Sequence, residues 1–149
     1  MAVDELKKRL KRNEGFRGEV YDDATGQPIR KGSIVVGHPT IGYGIRLDMK
    51  NAISALEAEM LTNSRIARAK NEAEVFPWFK TLGDTRQGVV IEMIYNIGFA
   101  GFLDFKKTIA ALAKRDFELA AKEMLDSLWR KQVGHRAVEL AEIMKDGHC

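Results

Sequence analysis

At 149 residues, with 45% hydrophobic and 30% charged side chains, the chain can bury a core of its own, and its composition excludes intrinsic disorder. Twenty-four Lys and Arg against 21 Asp and Glu leave a net charge of +3. That excess favours an anionic partner, but it is scattered and lacks the aromatic-basic interleave of a nucleic-acid surface.

The single cysteine is Cys149, the last residue, which excludes an intrachain disulfide and a cysteine metal cluster. A reducing compartment and an exposed tail thiol are expected. The opening MAVDELKKRLKRNEGF contains no apolar run, so neither a signal peptide nor membrane insertion is expected.

A first helix is predicted from Asp4, whose carboxylate can cap the free N–H groups of the following turn. Leu6 and Leu10 share a face, Glu14 falls on the same stripe, and Gly15 is the predicted stop. An acid on an inward face at the negative end of a helix resists ionisation. Val20 and Tyr21 begin a strand, and Asp22 to Gly26 reads as a turn. The β-branched run Ile34-Val35-Val36, bounded by Gly32 and Gly37, predicts a second strand. The alternating stretch Thr40 to Gly44 predicts a third, with Gly42 and Gly44 letting the backbone approach another surface. Such a sheet is too small to be stable without a helical partner.

The remainder is helical in pattern. A long helix is predicted over 51–73, running through Thr62-Asn63-Ser64. Phe76, Trp78 and Phe79 beside Pro77 read as core anchors. Asp84 or Thr85 is predicted to cap a helix made nearly apolar all round by Val89, Val90, Ile91, Met93, Ile94 and Ile97. Gly98 is expected to end it, with a turn over 99–102. Amphipathic pieces follow over 106–114, 117–129 and 135–144. Trp78 and Trp129 read as core rather than sugar-stacking residues, and His38 and His135 as structural or solvent-facing.

The chemistry concentrates between Glu14 and Gly44. Two carboxylates in different surroundings, Glu14 at a helix end and Asp23 in a polar turn, can divide the work of acid and base, as in glycoside hydrolysis. The Thr40 hydroxyl can hold a water beside them. Asp22 is a rival to Asp23; two adjacent acids in a turn usually mean only a solvated turn, and it is the spacing that favours Asp23. Replacement of Asp22 is therefore expected to be tolerated.

The frame Glu14-Gly15-Phe16-Arg17, Tyr21-Asp22-Asp23 and Thr40-Ile41-Gly42-Tyr43-Gly44 resembles the phage-type lysozymes, glycoside hydrolase family 24. Further matches run in the family's order: Asn96-Ile97-Gly98, Ala100-Gly101-Phe102, Phe117 to Ala121, Ser127-Leu128-Trp129 and His135-Arg136-Ala137. The resemblance implies an α+β, mostly helical, two-lobed fold in a single lysozyme domain over 1–149. A small antiparallel β-lobe would occupy about 15–50 and a linking helix about 51–73. A larger helical lobe, about 74–149, would include the N-terminal helix.

It also implies a muramidase that cuts the β-1,4 bond between N-acetylmuramic acid and N-acetylglucosamine in peptidoglycan, with no cofactor and no metal. By the same resemblance Glu14 is the general acid, Asp23 activates the attacking water, and Thr40 helps hold it. The family inverts the anomeric centre, so the carboxyls should stand roughly 6.5–9.5 Å apart. Arg136 takes the position of an arginine that pairs with the catalytic Glu, and Tyr95, Thr108 and Gly44 fall at cleft or supporting positions.

The implied biology is an endolysin, a monomer held in host cytoplasm until a holin gives access to the wall. The alternative is a catalytically silent wall-binding or virion module of the same fold, and a small helical nucleic-acid binder is a weaker third.

Two departures from the family stand out. Sixteen residues separate Asp23 from Thr40, where the best-known member has a much shorter link, so GQPIRKGSIVVGHP is expected to form an extended hairpin. Ile45 stands where that member has a histidine, so the ion pair made there is expected to be missing.

Overall fold

The computed structural model describes residues 2–148; the tail thiol expected at Cys149 lies outside the described residues. The chain forms two compact units, Met1–Ala58 and Glu59–Cys149, and the division falls within one long helix.

In the first unit, helix α1 covers Ala2–Glu14, with Asp4 and Glu5 in its first turn and Lys11 and Arg12 in its last, each sign placed to complement the helix dipole. Asp4 therefore lies inside the helix rather than capping it. Gly15 stops α1 as expected: it is left-handed, with φ +67°, and its N–H bonds Lys11 O at 3.1 Å.

Strand β1 (Arg17–Asp22) pairs antiparallel with β2 (Pro39–Gly42), which pairs antiparallel with β3 (Ile45–Arg46). Tyr21 stands opposite Thr40 and Asp22 opposite Pro39, with a register shift between Arg17 and Tyr21. Gly42 and Gly44, with φ +69° and +73°, turn β2 into β3. The strand expected to reach Gly44 therefore ends at Gly42.

The run Ile34–Val36 is not a strand, and Ile34 is 89% exposed. Its β propensity is overridden because the Asp22 carboxylate takes the N–H groups of Val36 and Gly37, at 2.6 and 2.9 Å. The expected extended hairpin is likewise absent. The chain turns tightly over 22–27, makes one bridge between Tyr21 and Pro28, turns again at Arg30–Ser33, and returns irregularly to β2.

Helix α2 (Ala55–Ala73) runs unbroken through Thr62-Asn63-Ser64 and starts four residues later than expected. A reciprocal cap fixes that start: Ser54 N–H donates to Glu57 Oε2 at 2.6 Å, and Glu57 N–H to Ser54 Oγ at 3.2 Å.

In the second unit, a single 3-10 turn over Phe79–Thr81 precedes α3 (Asp84–Leu103), whose N-cap is Gly83 rather than Asp84 or Thr85. Gly98 (φ +77°, ψ 162°) kinks α3 without ending it, and 99–103 is helical again. Then follow α4 (Lys106–Ala113), α5 (Phe117–Leu125), α6 (Leu128–Val133) and α7 (His135–Asp146). The single piece expected over 117–129 is thus two helices, separated at Asp126-Ser127.

The second unit's core includes Phe79, Val90, Met93, Phe102, Leu112, Met124, Trp129 and Met144, with both tryptophans buried as expected. The first unit is built differently. Among its described residues only Asp22 and Thr40 are buried.

Candidate active site

Glu14 is the last residue of α1 and is exposed. The apolar surround expected for it is not supplied by its own unit. What meets it there is backbone: a Cβ on Gly44 would fall 2.6 Å from Glu14 Oε2. The Phe16 and Tyr43 rings, 5.6 Å apart, and Lys11 Nζ, 5.3 Å from the Tyr43 ring centroid, tie the end of α1 to the β2–β3 turn.

At the other end of the ladder His38 joins Asp23 to Thr40. Asp23 N–H donates to His38 O at 3.1 Å, and His38 N–H donates to Asp23 Oδ1 at 2.7 Å. The Thr40 hydroxyl also donates to His38 O, at 3.0 Å. Its proton is thereby committed, which leaves the oxygen lone pairs free to accept from a water. From the Gly42 pairing to the Pro39 pairing β2 advances three residues, about 10 Å at strand rise. The Glu14–Gly44 contact and Asp23 thus sit at opposite ends of that span, with Thr40 between.

The His38 ring is held by Asp48 Oδ2 at 2.7 Å and Arg46 Nη2 at 2.8 Å. His38, followed by Arg46, holds the Asp48 carboxyl below its ordinary range. Beside Ile45, Arg46 Nε lies 3.3 Å from Asp48 Oδ1.

Asp22 is not the solvated acid the turn pattern implied. It is 3% exposed, and Oδ1 also accepts the Ala24 N–H at 2.9 Å. The Val36 N–H, followed by those of Ala24, Gly37 and Thr25, holds its carboxyl below the usual range, against the opposing effect of burial.

The other predicted site residues belong to the helical unit. Arg136, at the start of α7, donates to Asn96 Oδ1 at 2.9 Å and lies 3.7 Å from Glu92. Tyr95, on α3, is exposed, whereas Thr108, on α4, is buried and lines a cavity of about 740 Å³. Ile97, Phe105, Trp129, Glu123 and Gln132 also line it. The Trp129 indole N–H and the Asn96 amide nitrogen are buried without a hydrogen-bond partner among the described residues.

The structure therefore brings Glu14 to Gly44, and Asp23 to Thr40 through His38. Sequence reasoning missed Asp22, His38 and Gly37 as parts of this arrangement. The available signal was the Asp22-Asp23 pair at a strand end, facing a return chain with a glycine beside a histidine.

A first unit with a small antiparallel sheet, Glu14 at a helix end, Asp23 just after β1 and the Thr40 hydroxyl on β2, followed in the chain by a mainly helical unit, has the α+β architecture of a lysozyme. The chain belongs to the phage lysozyme family, whose model matches residues 11–142. It is 26% identical to a probable T4-type lysozyme 1 of Dictyostelium discoideum, over 97% of this chain and 96% of that protein. It is 24% identical to a probable T4-type lysozyme 2 of the same organism, over 97% and 96%. It is also 27% identical to the pre-baseplate central spike protein Gp5 of Enterobacteria phage T4, over 93% of this chain but 27% of the spike protein. The protein is accordingly a lysozyme, a muramidase, of a family that acts on peptidoglycan.

Proposed function

We propose that this muramidase is an endolysin that hydrolyses the N-acetylmuramic acid–N-acetylglucosamine β-1,4 bond with inversion, using Glu14, Asp23 and Thr40. In this reading the Glu14 carboxyl gives its proton to the glycosidic oxygen as the C1–O bond breaks. A water accepted by Thr40 Oγ1 attacks C1 from the opposite face and passes its proton to Asp23. One water is consumed, and a β-linkage yields an α-anomer. The observation that carries the reading is the His38 bridge, which holds Asp23 and Thr40 on the backbone of one residue. Trp129, which lines the cavity of the helical unit, carries a buried indole N–H suited to an acetamido or peptide carbonyl of the polymer.

The enzyme would act as a monomer, accumulating in host cytoplasm and reaching the wall once a holin opens the membrane. The alternative is a lysozyme module carried on a virion, favoured by the likeness to the phage spike protein, of which this chain spans about a quarter.

Digestion of purified peptidoglycan, with the fresh reducing end read by NMR and mass spectrometry, tests the chemistry. The expected product is a hydrated reducing-end sugar released as the α-anomer. A β-anomer or an anhydro sugar would refute the mechanism. Glu14→Gln should leave the thermal transition in place and lower turnover at least about 1,000-fold; retained activity would remove Glu14 from the acid role.

A further inference from the structure

We propose that Asp22 is a positioning residue for the reaction, holding the return chain 36–38 so that the His38 backbone orients Asp23 and Thr40. The proposal rests on the roles just given to those two residues.

Asp22 ends β1 and is buried, 3% exposed. It accepts Val36 N–H at 2.6 Å on Oδ2, and Gly37 N–H and Ala24 N–H at 2.9 Å on Oδ1. Two of these donors belong to the returning chain and one to the turn after Asp22. The carboxylate thus ties together segments separated by fourteen and fifteen residues.

The next donor along the return chain, His38 N–H, is the one that meets Asp23. Neutral backbone donors to a buried carboxylate form charge-assisted bonds, stronger than those between neutral groups. Asp22 therefore clamps residues 36 and 37, His38 follows at one peptide's remove, and Asp23 and Thr40 take their orientation from His38. Nothing else regular holds this chain, because Ile34–Val36 makes no strand pairing.

Gly37 completes the device. A Cβ there would collide with Asp23 Oδ1 and lie 2.8 Å from Ala24 N. The return chain can press this closely against Asp23 only without a side chain at that position. The sixteen residues between Asp23 and Thr40 thus act on the second carboxylate from behind and need no contact with glycan to do so.

Asp22→Asn keeps the shape but turns an amide N–H₂ towards backbone donors, which breaks at least one clamp bond. Turnover on soluble peptidoglycan fragments should fall about 10- to 100-fold with KM changed less than about 3-fold, because orientation of a reacting group is lost rather than binding. In an Asp23→Asn background the same change should cost less than about 3-fold, since its target is already gone. Gly37→Ala, which leaves Asp22 intact, should reproduce the kcat loss and serves as the test should Asp22→Asn fail to fold.

Wild-type kcat in folded Asp22→Asn or in Gly37→Ala overturns the proposal. So does a full additional loss from Asp22→Asn on top of Asp23→Asn, the result a general structural role would give. Full activity of Asp23→Asn alone is a separate outcome: it removes the mechanism above, and this proposal with it.

Discussion

Among the left-handed glycines of the first unit, Gly26 and Gly44 have surroundings that differ in one respect. Gly26 has φ +71° and open space within 4 Å of where a Cβ would stand, whereas Gly44 has φ +73° with the Glu14 carboxyl 2.6 Å from that point. Alanine at either site meets the same backbone penalty, about 1 kcal/mol, or some 2–4 °C in Tm for a protein of this size. Only Gly44→Ala must also move Glu14. Calorimetry should therefore find Gly26→Ala and Gly44→Ala destabilised alike. Turnover should fall more than about 10-fold in Gly44→Ala and stay within about 2-fold in Gly26→Ala. Equal turnover in the two variants would make Gly44 a turn residue and nothing more. The Glu14, Asp23 and Thr40 types and spacing were legible in the sequence. The burial of Asp22 was not, because its partners are backbone N–H groups contributed by residues 24, 36 and 37, and backbone donors leave no mark in a residue pattern.

Among the elements, those with a 3.6-residue apolar period were readable as helices, but several of their ends, such as the starts of α2 and α3, were misplaced. The α2 start shows why. Apolar spacing beginning at Ile53 is compatible with a start at Asn51, but Ser54 and Glu57 form a reciprocal cap that selects Ala55. The Ser-x-x-Glu pattern was present to be read. The Ile34–Val36 run failed for a different reason: propensity favours extension, but strand formation needs an edge to pair with, and the Val36 N–H is taken by a carboxylate. Ser54→Ala should destabilise by about 1 kcal/mol at neutral pH. The Ser54 N–H, followed by the Ser54 hydroxyl, lowers the Glu57 carboxyl below its ordinary range. That contribution is complete above about pH 4.3 and is lost as pH falls through the lowered folded value. Melting curves of Ser54→Ala and wild type should accordingly converge on acidification; a gap that widens towards low pH would contradict the cap.

Across the whole molecule the two units rest on different physics. The helical unit is centred on buried apolar side chains such as Phe79, Phe102 and Met93, whose burial does not depend on pH. In the first unit the described buried residues are an aspartate and a threonine. The carboxyls held below their ordinary range, Asp22, Asp48 and Glu57, lie within Met1–Ala58. Each ionises more readily in the fold than in the unfolded chain. Each therefore stabilises the fold fully above the ordinary carboxyl range, about pH 4, and loses that contribution as pH falls through its lowered folded value. Hydrogen exchange followed from about pH 6 to pH 3, corrected for intrinsic rates, should show amides between Arg17 and Asp48 losing protection first. Those of α5 and α7 should persist to lower pH. In Asp22→Asn the amides of Val36 and Gly37 should exchange fast already at the upper end of that range, and the acid-dependent step in that region should shrink, because the titrating clamp has been removed. Simultaneous loss in both units, or earlier loss in α5 and α7, would mean that the apolar core and not the carboxylate network limits stability in acid.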